Sequence, residues 1–287
     1  LFRQDSDTAV YIFPSEIRSD FSGVKNLHSF YDQLRTLYNT EVSLDFSWLD
    51  FFEANMSALL QALIYKLNHE NGLTFTVNLP QIKEKFHVLI RNGLIKANGI
   101  PADDRLTTVA CENFTSVRGH DFKHYLDNDL IGHRAFATVP VTLMKAVATD
   151  LLEIFNNYCI HSRSDFPFFV CGQFYPGRKR LFFTMVDLGI GFLPPIREFT
   201  KNGIVSDLQA IKWAVDGNST KQPAVDMPAG LGLSGINEYC LAGRVAMQIA
   251  SGRGYWNSEQ DKTIFFKDGR MFPTPIIGTT VNIDFAC

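Results

Sequence analysis

The stretch Leu152-Glu153-Ile154-Phe155-Asn156-Asn157-Tyr158-Cys159-Ile160-His161-Ser162 decides how the chain is read. Glu153, Asn157 and His161 stand four residues apart, so at about 3.6 residues per turn they form one slowly drifting polar row on a helix. Val147, Leu151, Ile154 and Tyr158 form a neighbouring apolar row suited to face a core. Pro140 fits the first turn, where its missing N–H is no loss, and predicts a helix from there to about His161. A carboxylate and a carboxamide at the edge of a buried face can share one ligand or one metal ion.

Outward from this helix come three glycine-containing segments. Phe168 to Tyr175 and Arg180 to Val186 read as strands joined by the hairpin-like Pro176-Gly177-Arg178-Lys179. Asp187-Leu188-Gly189-Ile190-Gly191 leaves the second strand, and a carboxylate emerging from the apolar run Phe182-Phe183-Thr184-Met185-Val186 needs a partner. Gly189 and Gly191 remove side chains where backbone and ligand must approach; taken alone, the pattern is also an ordinary turn. Gly230-Leu231-Gly232-Leu233 opens a helix that runs to Leu241 and stops at Gly243. Backbone N–H groups at such a start form an anion cradle. No Lys-Ser/Thr follows, as a Walker loop requires. Gly230 to Gly235 matches Gly-x-Gly-x-x-Gly, but no parallel strand precedes it, which sets the Rossmann reading aside. Gly278-Thr279-Thr280 opens the last strand.

In this order the four segments resemble the boxes of the GHKL ATPase superfamily, which includes gyrase B, heat-shock chaperones, histidine kinases and MutL. The resemblance covers roughly the C-terminal 150 residues and assigns 106–287 as one domain. It implies a Bergerat-type α/β sandwich with a mixed or antiparallel sheet and helices on one face, binding ATP and Mg²⁺. By the same resemblance Asn157 is the Mg²⁺ ligand and Glu153 the general base. Asp187 accepts from the exocyclic amine of adenine, and Thr279 supports that aspartate. Gly189, Gly191, Gly230, Leu231, Gly232 and Leu233 line the nucleotide, and His161 is either a phosphate contact or a structural hydrogen bond. Ile196 to Ala229, polar and rich in Gly and Pro, stands where the family has its mobile ATP lid. Lys221 there can pair with a phosphate oxygen, or the segment is a plain solvated loop. Leu188 is a departure, since many relatives carry Asn at that position.

The first part alternates strands and helices. Val10 to Phe13 and the alternating Val42, Leu44 and Phe46 read as strands. Leu27, Phe30, Tyr31, Leu34 and Tyr38 recur at helical spacing. Asn55 is a candidate cap for a helix bearing Leu59, Leu60, Leu63 and Leu67 and stopped by Gly72. Leu73 to Leu79 alternates again, and Ile82 to Ile90 reads as one short helix closed by Gly93. The order, with an Asp-rich turn before the long helix, loosely resembles a STAS domain over about 90 residues, which assigns 1–105 as a domain. STAS domains often carry a phosphorylatable Ser or Thr at that helix start. Here Phe51-Phe52-Glu53-Ala54-Asn55 replaces the motif, and Ser57, the nearest hydroxyl, reads as a surface or capping serine. Asn98 to Arg118 is weakly periodic and holds the boundary between the two regions. Further on, Ser206 to Gln209 has capping-box spacing, and Val245 to Ala250, Thr263 to Lys267 and Thr280 to Phe285 read as strands.

Composition narrows the partners. With 27 Lys+Arg against 30 Asp+Glu, a net charge of −3 and no basic run, neither nucleic acid nor an anionic membrane is expected. Five scattered cysteines without a Cys-x-x-Cys pair suit a reducing cytoplasm, and no apolar run is long enough to span a bilayer. His120, His124 and His133 lack the companions of a zinc site and read as a solvated helix face. The family resemblance is nearest in type to the anti-sigma-factor serine kinases. It implies an ATPase or protein-serine kinase acting on a regulatory protein partner, STAS-type among the options, with a homodimer also open. The alternative is a nucleotide-gated interaction module with little or no catalysis.

Overall fold

The computed structural model describes residues 2–5, 8–96, 103, 105–220, 231–259 and 270–287. The chain begins with β1 (Phe2–Asp5), β2 (Thr8–Ile12), β3 (Glu16–Ile17), α1 (Phe21–Leu34), β4 (Glu41–Asp45) and β5 (Phe51–Phe52). It continues with α2 (Ser57–Asn71), β6 (Thr74–Val77), α3 (Leu79–Lys85) and α4 (Val88–Arg91). Strands β2, β4 and β6 are parallel neighbours, with α1 and α2 as the crossovers between them, and β1 adds an antiparallel edge. Alternation fixes the inner face: Ala9 and Tyr11 of β2 and Val42 and Leu44 of β4 point into the core. Asp20 caps α1 by accepting from the Gly23 N–H at 2.8 Å, and Gly72 ends α2 in the left-handed region, as its place in the sequence implies.

The second region comprises β7 (Thr108–Phe114), α5 (Gly119–Tyr125), α6 (Val141–His161), β8 (Phe168–Tyr175), β9 (Arg180–Asp187), α7 (Leu193–Phe199) and α8 (Asp207–Val215). After these come α9 (Leu231–Leu241), β10 (Val245–Ser251), β11 (Gly254–Asn257), β12 (Arg270–Met271) and β13 (Thr279–Ala286). Among the described residues, seven strands form one sheet in the order β12-β11-β10-β13-β9-β8-β7, antiparallel throughout.

Both faces of this sheet are covered. Phe168, Val170, Leu181, Phe183, Met185, Val281 and Ile283 join α5, α6, α8 and α9 in one core. Phe169, Cys171 and Val186, pointing the other way, join α1, α2 and the four-stranded sheet in a second. The helices of the second region that pack on the sheet lie on one face, as expected, and the other face is covered by the first region. The first half of α2, from Ser57 to Leu63, is buried nearly all round because it is sandwiched, whereas Tyr65, Asn68, His69 and Glu70 of its second half are exposed.

That packing overturns two local expectations. Asn55 does not cap α2. It sits fully buried in a tight turn before the helix, with its amide Nδ2 donating to Ser19 Oγ at 2.6 Å and to Thr184 Oγ1 of β9 at 2.8 Å. Ser57 is not at the surface; it is fully buried and accepts from Asn92 Nδ2 at 2.9 Å. The start of α2 is pressed onto the large sheet, so these polar groups must find protein partners.

Two further expectations change. Ile82 to Ile90 is broken into α3 and α4 at Phe86, whose ring is buried beside Phe46. Strand β7 lies where the pattern looked weakly periodic, because a register shift between Val109 and Glu112 interrupts its alternation. Val10 to Phe13, Phe168 to Tyr175, Arg180 to Val186 and the Ser206–Gln209 capping box fall where the sequence places them, within a residue or two. The expected strand Thr263 to Lys267 lies outside the described residues.

Candidate functional site

Helix α6 lies along the sheet with Met144, Val147, Leu151, Ile154, Phe155 and Tyr158 inward. Pro140 takes the position just outside its first turn. Glu153, Asn157 and His161 are half-buried along the edge of the apolar stripe, in the row their spacing implies. Beside them opens a cleft of about 930 Å³, counting its open mouth. Asn157 and His161 of α6, Asp187 at the end of β9, Gly191, Leu233 of α9 and Thr279 of β13 all line it. Its walls are otherwise mostly apolar: Ile154, Tyr158, Phe168, Met185, Ile196, Trp213 and Val281.

Register brings the polar floor together. Thr279 stands opposite Asp187 on one side and Ser251 on the other, so one row crosses β9, β13 and β10. Asp187 Oδ1 accepts from the Gly189 N–H at 2.8 Å, and Thr279 stands directly opposite in the register, its hydroxyl beside the carboxylate. Burial pushes the Asp187 pKa up to about 6, with these two donors pulling it back. At neutral pH the group is therefore still mainly a carboxylate, an acceptor at the end of an apolar slot.

The glycines divide the labour. Gly191 (φ 74°) and Gly278 (φ 66°) take conformations that L side chains rarely adopt, and both lie in the turns that close the floor. Gly189 does not line the cleft. A Cβ there would come within 2.5 Å of the Ser162 carbonyl, so its bareness lets the turn dock on the end of α6, where Ile190 N–H donates to Ser162 O at 3.0 Å.

Gly232 and Gly235 play a similar part for α9. A Cβ on Gly232 would lie 3.0 Å from Cβ and Cγ of Glu153, and one on Gly235 would lie 2.5 Å from an Asp150 carboxylate oxygen. Glu153 accordingly sits under the first turn of α9 rather than in the cleft wall. His161 Nε2 lies 3.4 Å from Thr220 Oγ1, and both residues line the cleft. Of the expected lid, Ile196 to Ala229, residues 196–220 hold the end of α7 and all of α8, packed inward through Ile196, Ala210, Ile211 and Val215 rather than forming a loop throughout. Lys221, residues 222–229 and Gly230 lie outside the described residues, as does the side chain of Leu231.

Two residues escaped the sequence reading. Ser251, 1% exposed, accepts from the Phe192 N–H at 3.2 Å and lies 3.2 Å from Thr279 Oγ1. In the sequence it is simply a Ser before Gly252 at a strand end, a turn signal. Asp150, 9% exposed, faces α9. Burial raises its pKa to about 7, the charges of Glu238 and Glu153 push the same way, and a hydrogen bond from Tyr239 opposes them. Its signal was available: Asp150 falls between Val147 and Ile154 on the apolar row, where a carboxylate is out of place.

Among the described residues no group of three or more His, Cys, Asp and Glu could hold a metal ion. His120 and His124 are exposed on α5, and His133 Nδ1 accepts from the Ala135 N–H at 3.1 Å. A magnesium ion that keeps most of its waters needs only one or two protein oxygens, so the Asn157 carboxamide at the cleft edge fits that ion. All five cysteines are free thiols. No helix among the described residues is long and apolar enough to cross a membrane. No protein-family model, curated protein or solved structure matches the chain.

Proposed function

We propose that the chain is a Mg²⁺-dependent adenine-nucleotide-binding protein of the GHKL type, with a Bergerat-like second region and a STAS-like first one. The observation that carries this is convergence. Four segments far apart in sequence meet at one apolar cleft whose floor is an ionised, hydrogen-bonded carboxylate. A flat heteroaromatic base fits such a slot, and Asp187 can accept from its exocyclic amine. Asn157 would hold Mg²⁺, which supplies charge neutralisation between phosphate oxygens. The first turn of α9 turns backbone N–H groups toward an anion.

The reaction we favour is phosphoryl transfer to a hydroxyl of a regulatory protein partner, or to water, with the Glu153 carboxylate taking the proton of the attacking group. Ser57 is not that acceptor, because it is fully buried on the opposite side of the sheet. One observation favours a nucleotide-gated interaction module instead: Glu153 lies beneath α9, outside the cleft wall. Radiolabelled ATP separates the two, since phosphate appears on a partner or in solution only in the first.

Calorimetric titration tests the shared step. Asp187→Asn should weaken ATP binding by roughly 10- to 100-fold, the worth of a hydrogen bond to a charged group. Asn157→Ala should weaken Mg·ATP and leave metal-free ATP unchanged. Unaltered affinity in both variants would sink the assignment.

A further inference from the structure

Ser251 belongs to no part of the site as read from the sequence, yet its hydroxyl touches both turns that frame the cleft floor. It accepts from the Phe192 N–H at 3.2 Å, lies 3.2 Å from Thr279 Oγ1 and approaches the Gly278 carbonyl at 3.4 Å. A Cβ on Gly191 would stand 2.6 Å from the same oxygen, so the turn after Asp187 is folded directly onto it.

A hydroxyl has one proton to donate and two lone pairs that accept. Ser251 accepts from Phe192 N–H, and its one proton is shared between the Gly278 carbonyl and Thr279 Oγ1. Thr279 stands opposite Asp187 in the register of β13 and β9, so its hydroxyl lies beside a carboxylate that can only accept. Ser251 therefore ties the turn after Asp187 to the strand start that carries Thr279, and both hydroxyls are sealed from water, at 1% and 6% exposure.

Resting on the adenine-nucleotide reading above, we infer that Ser251 is a positioning residue for base selection: through Thr279 it fixes the Asp187 carboxylate so that its free lone pairs meet a base bearing an exocyclic amine. A 6-oxo base, which lacks that donor, gains nothing from the arrangement.

The test compares ATP with inosine triphosphate, which differ at that group and share the phosphates. The parent chain should prefer ATP. In Ser251→Ala the ATP affinity should fall by about 3- to 10-fold, the usual net worth of one hydrogen bond, while inosine triphosphate binding holds, so the preference collapses. Ser251→Thr keeps the hydroxyl and should restore it. If Ser251→Ala does not fold, as thermal melting would report, Thr279→Val breaks the same hydroxyl contact from its other end and Thr279→Ser keeps it. A purely structural role for Ser251 would weaken both nucleotides alike or neither, and either result overturns the inference. A parent that binds neither nucleotide, or both equally, shows before any variant is made that the base reading itself is wrong, and the inference falls with it.

Discussion

Asp187 holds a charge where burial resists it, and this sets stability against recognition. Its pKa is raised from an ordinary carboxylate value of 3.8 to about 6 in the folded chain. The folded state thus binds this proton more tightly than the unfolded state does. The resulting stabilisation is full below about pH 4 and is lost as pH rises through 6. At pH 8 the folded chain carries a buried charge that only a ligand donor would fully use. Asp187→Asn removes the charge while leaving an oxygen for Gly189 N–H and the Thr279 hydroxyl. It should therefore melt higher than the parent at pH 8, with the gain shrinking toward pH 5, even as its ATP binding weakens. Calorimetric melting at the two pH values checks this, and a variant that melts below its parent at pH 8 refutes it.

At the scale of elements, the joint between α6 and α9 carries Glu153 and Asp150 on one side and the glycine box on the other. Glycine inside a helix costs about 1 kcal/mol relative to alanine, so Gly235→Ala would stabilise an isolated α9. Here the added Cβ would meet the Asp150 carboxylate at 2.5 Å, which predicts the opposite sign. Gly235→Ala should lower the melting temperature and, by lifting α9 and with it Leu233 from the cleft, weaken nucleotide binding. Gly177→Ala, which meets no atom within 4 Å, is the control and should change little. A stabilised Gly235→Ala chain would show that the joint is loose. The sequence marked this glycine segment as a phosphate cradle but said nothing of helix packing, because a close approach depends on what stands opposite. The α6 row was legible since its spacing is local, β8 and β9 were legible from their apolar runs, and β13 from the alternation of Val281, Ile283 and Phe285 with Asn282 and Asp284. Strand β7 was not, because its bulge destroys the alternation on which such a reading depends.

The whole molecule is organised by one sheet buried on both faces, and this too left a trace in the sequence. Phe168-Phe169-Val170-Cys171 and Leu181-Phe182-Phe183 are continuous apolar runs, whereas an antiparallel sheet with one wet face alternates. What the runs could not say is which layer covers the second face, since that pairing is wholly non-local. The covering layer is α2, and a polar chain pins it. Asn55 Nδ2 donates to Thr184 Oγ1, whose proton goes to Asn282 Oδ1 at 2.7 Å, so the start of α2 is tied to β9 and β13 at once. These side chains are nearly or fully buried. Asn55→Ala would strand Ser19 and Thr184 without their donor, at a cost of about 1–3 kcal/mol. If the two regions fold as one unit, that loss lowers a single melting transition of the whole chain by about 2–6 °C. If each region is stable alone, calorimetry should resolve two transitions, of which only one moves. The shared core argues for the first outcome, because Val186 of β9 packs in the same cluster as Leu59 and Leu63 of α2. Thr184 and Asn282 face α2 while Asp187 and Thr279 face the cleft, so the ATP preference over inosine triphosphate should survive the substitution. A lost preference would mean that the contact with α2 sets the geometry of the cleft floor as well as the stability of the chain.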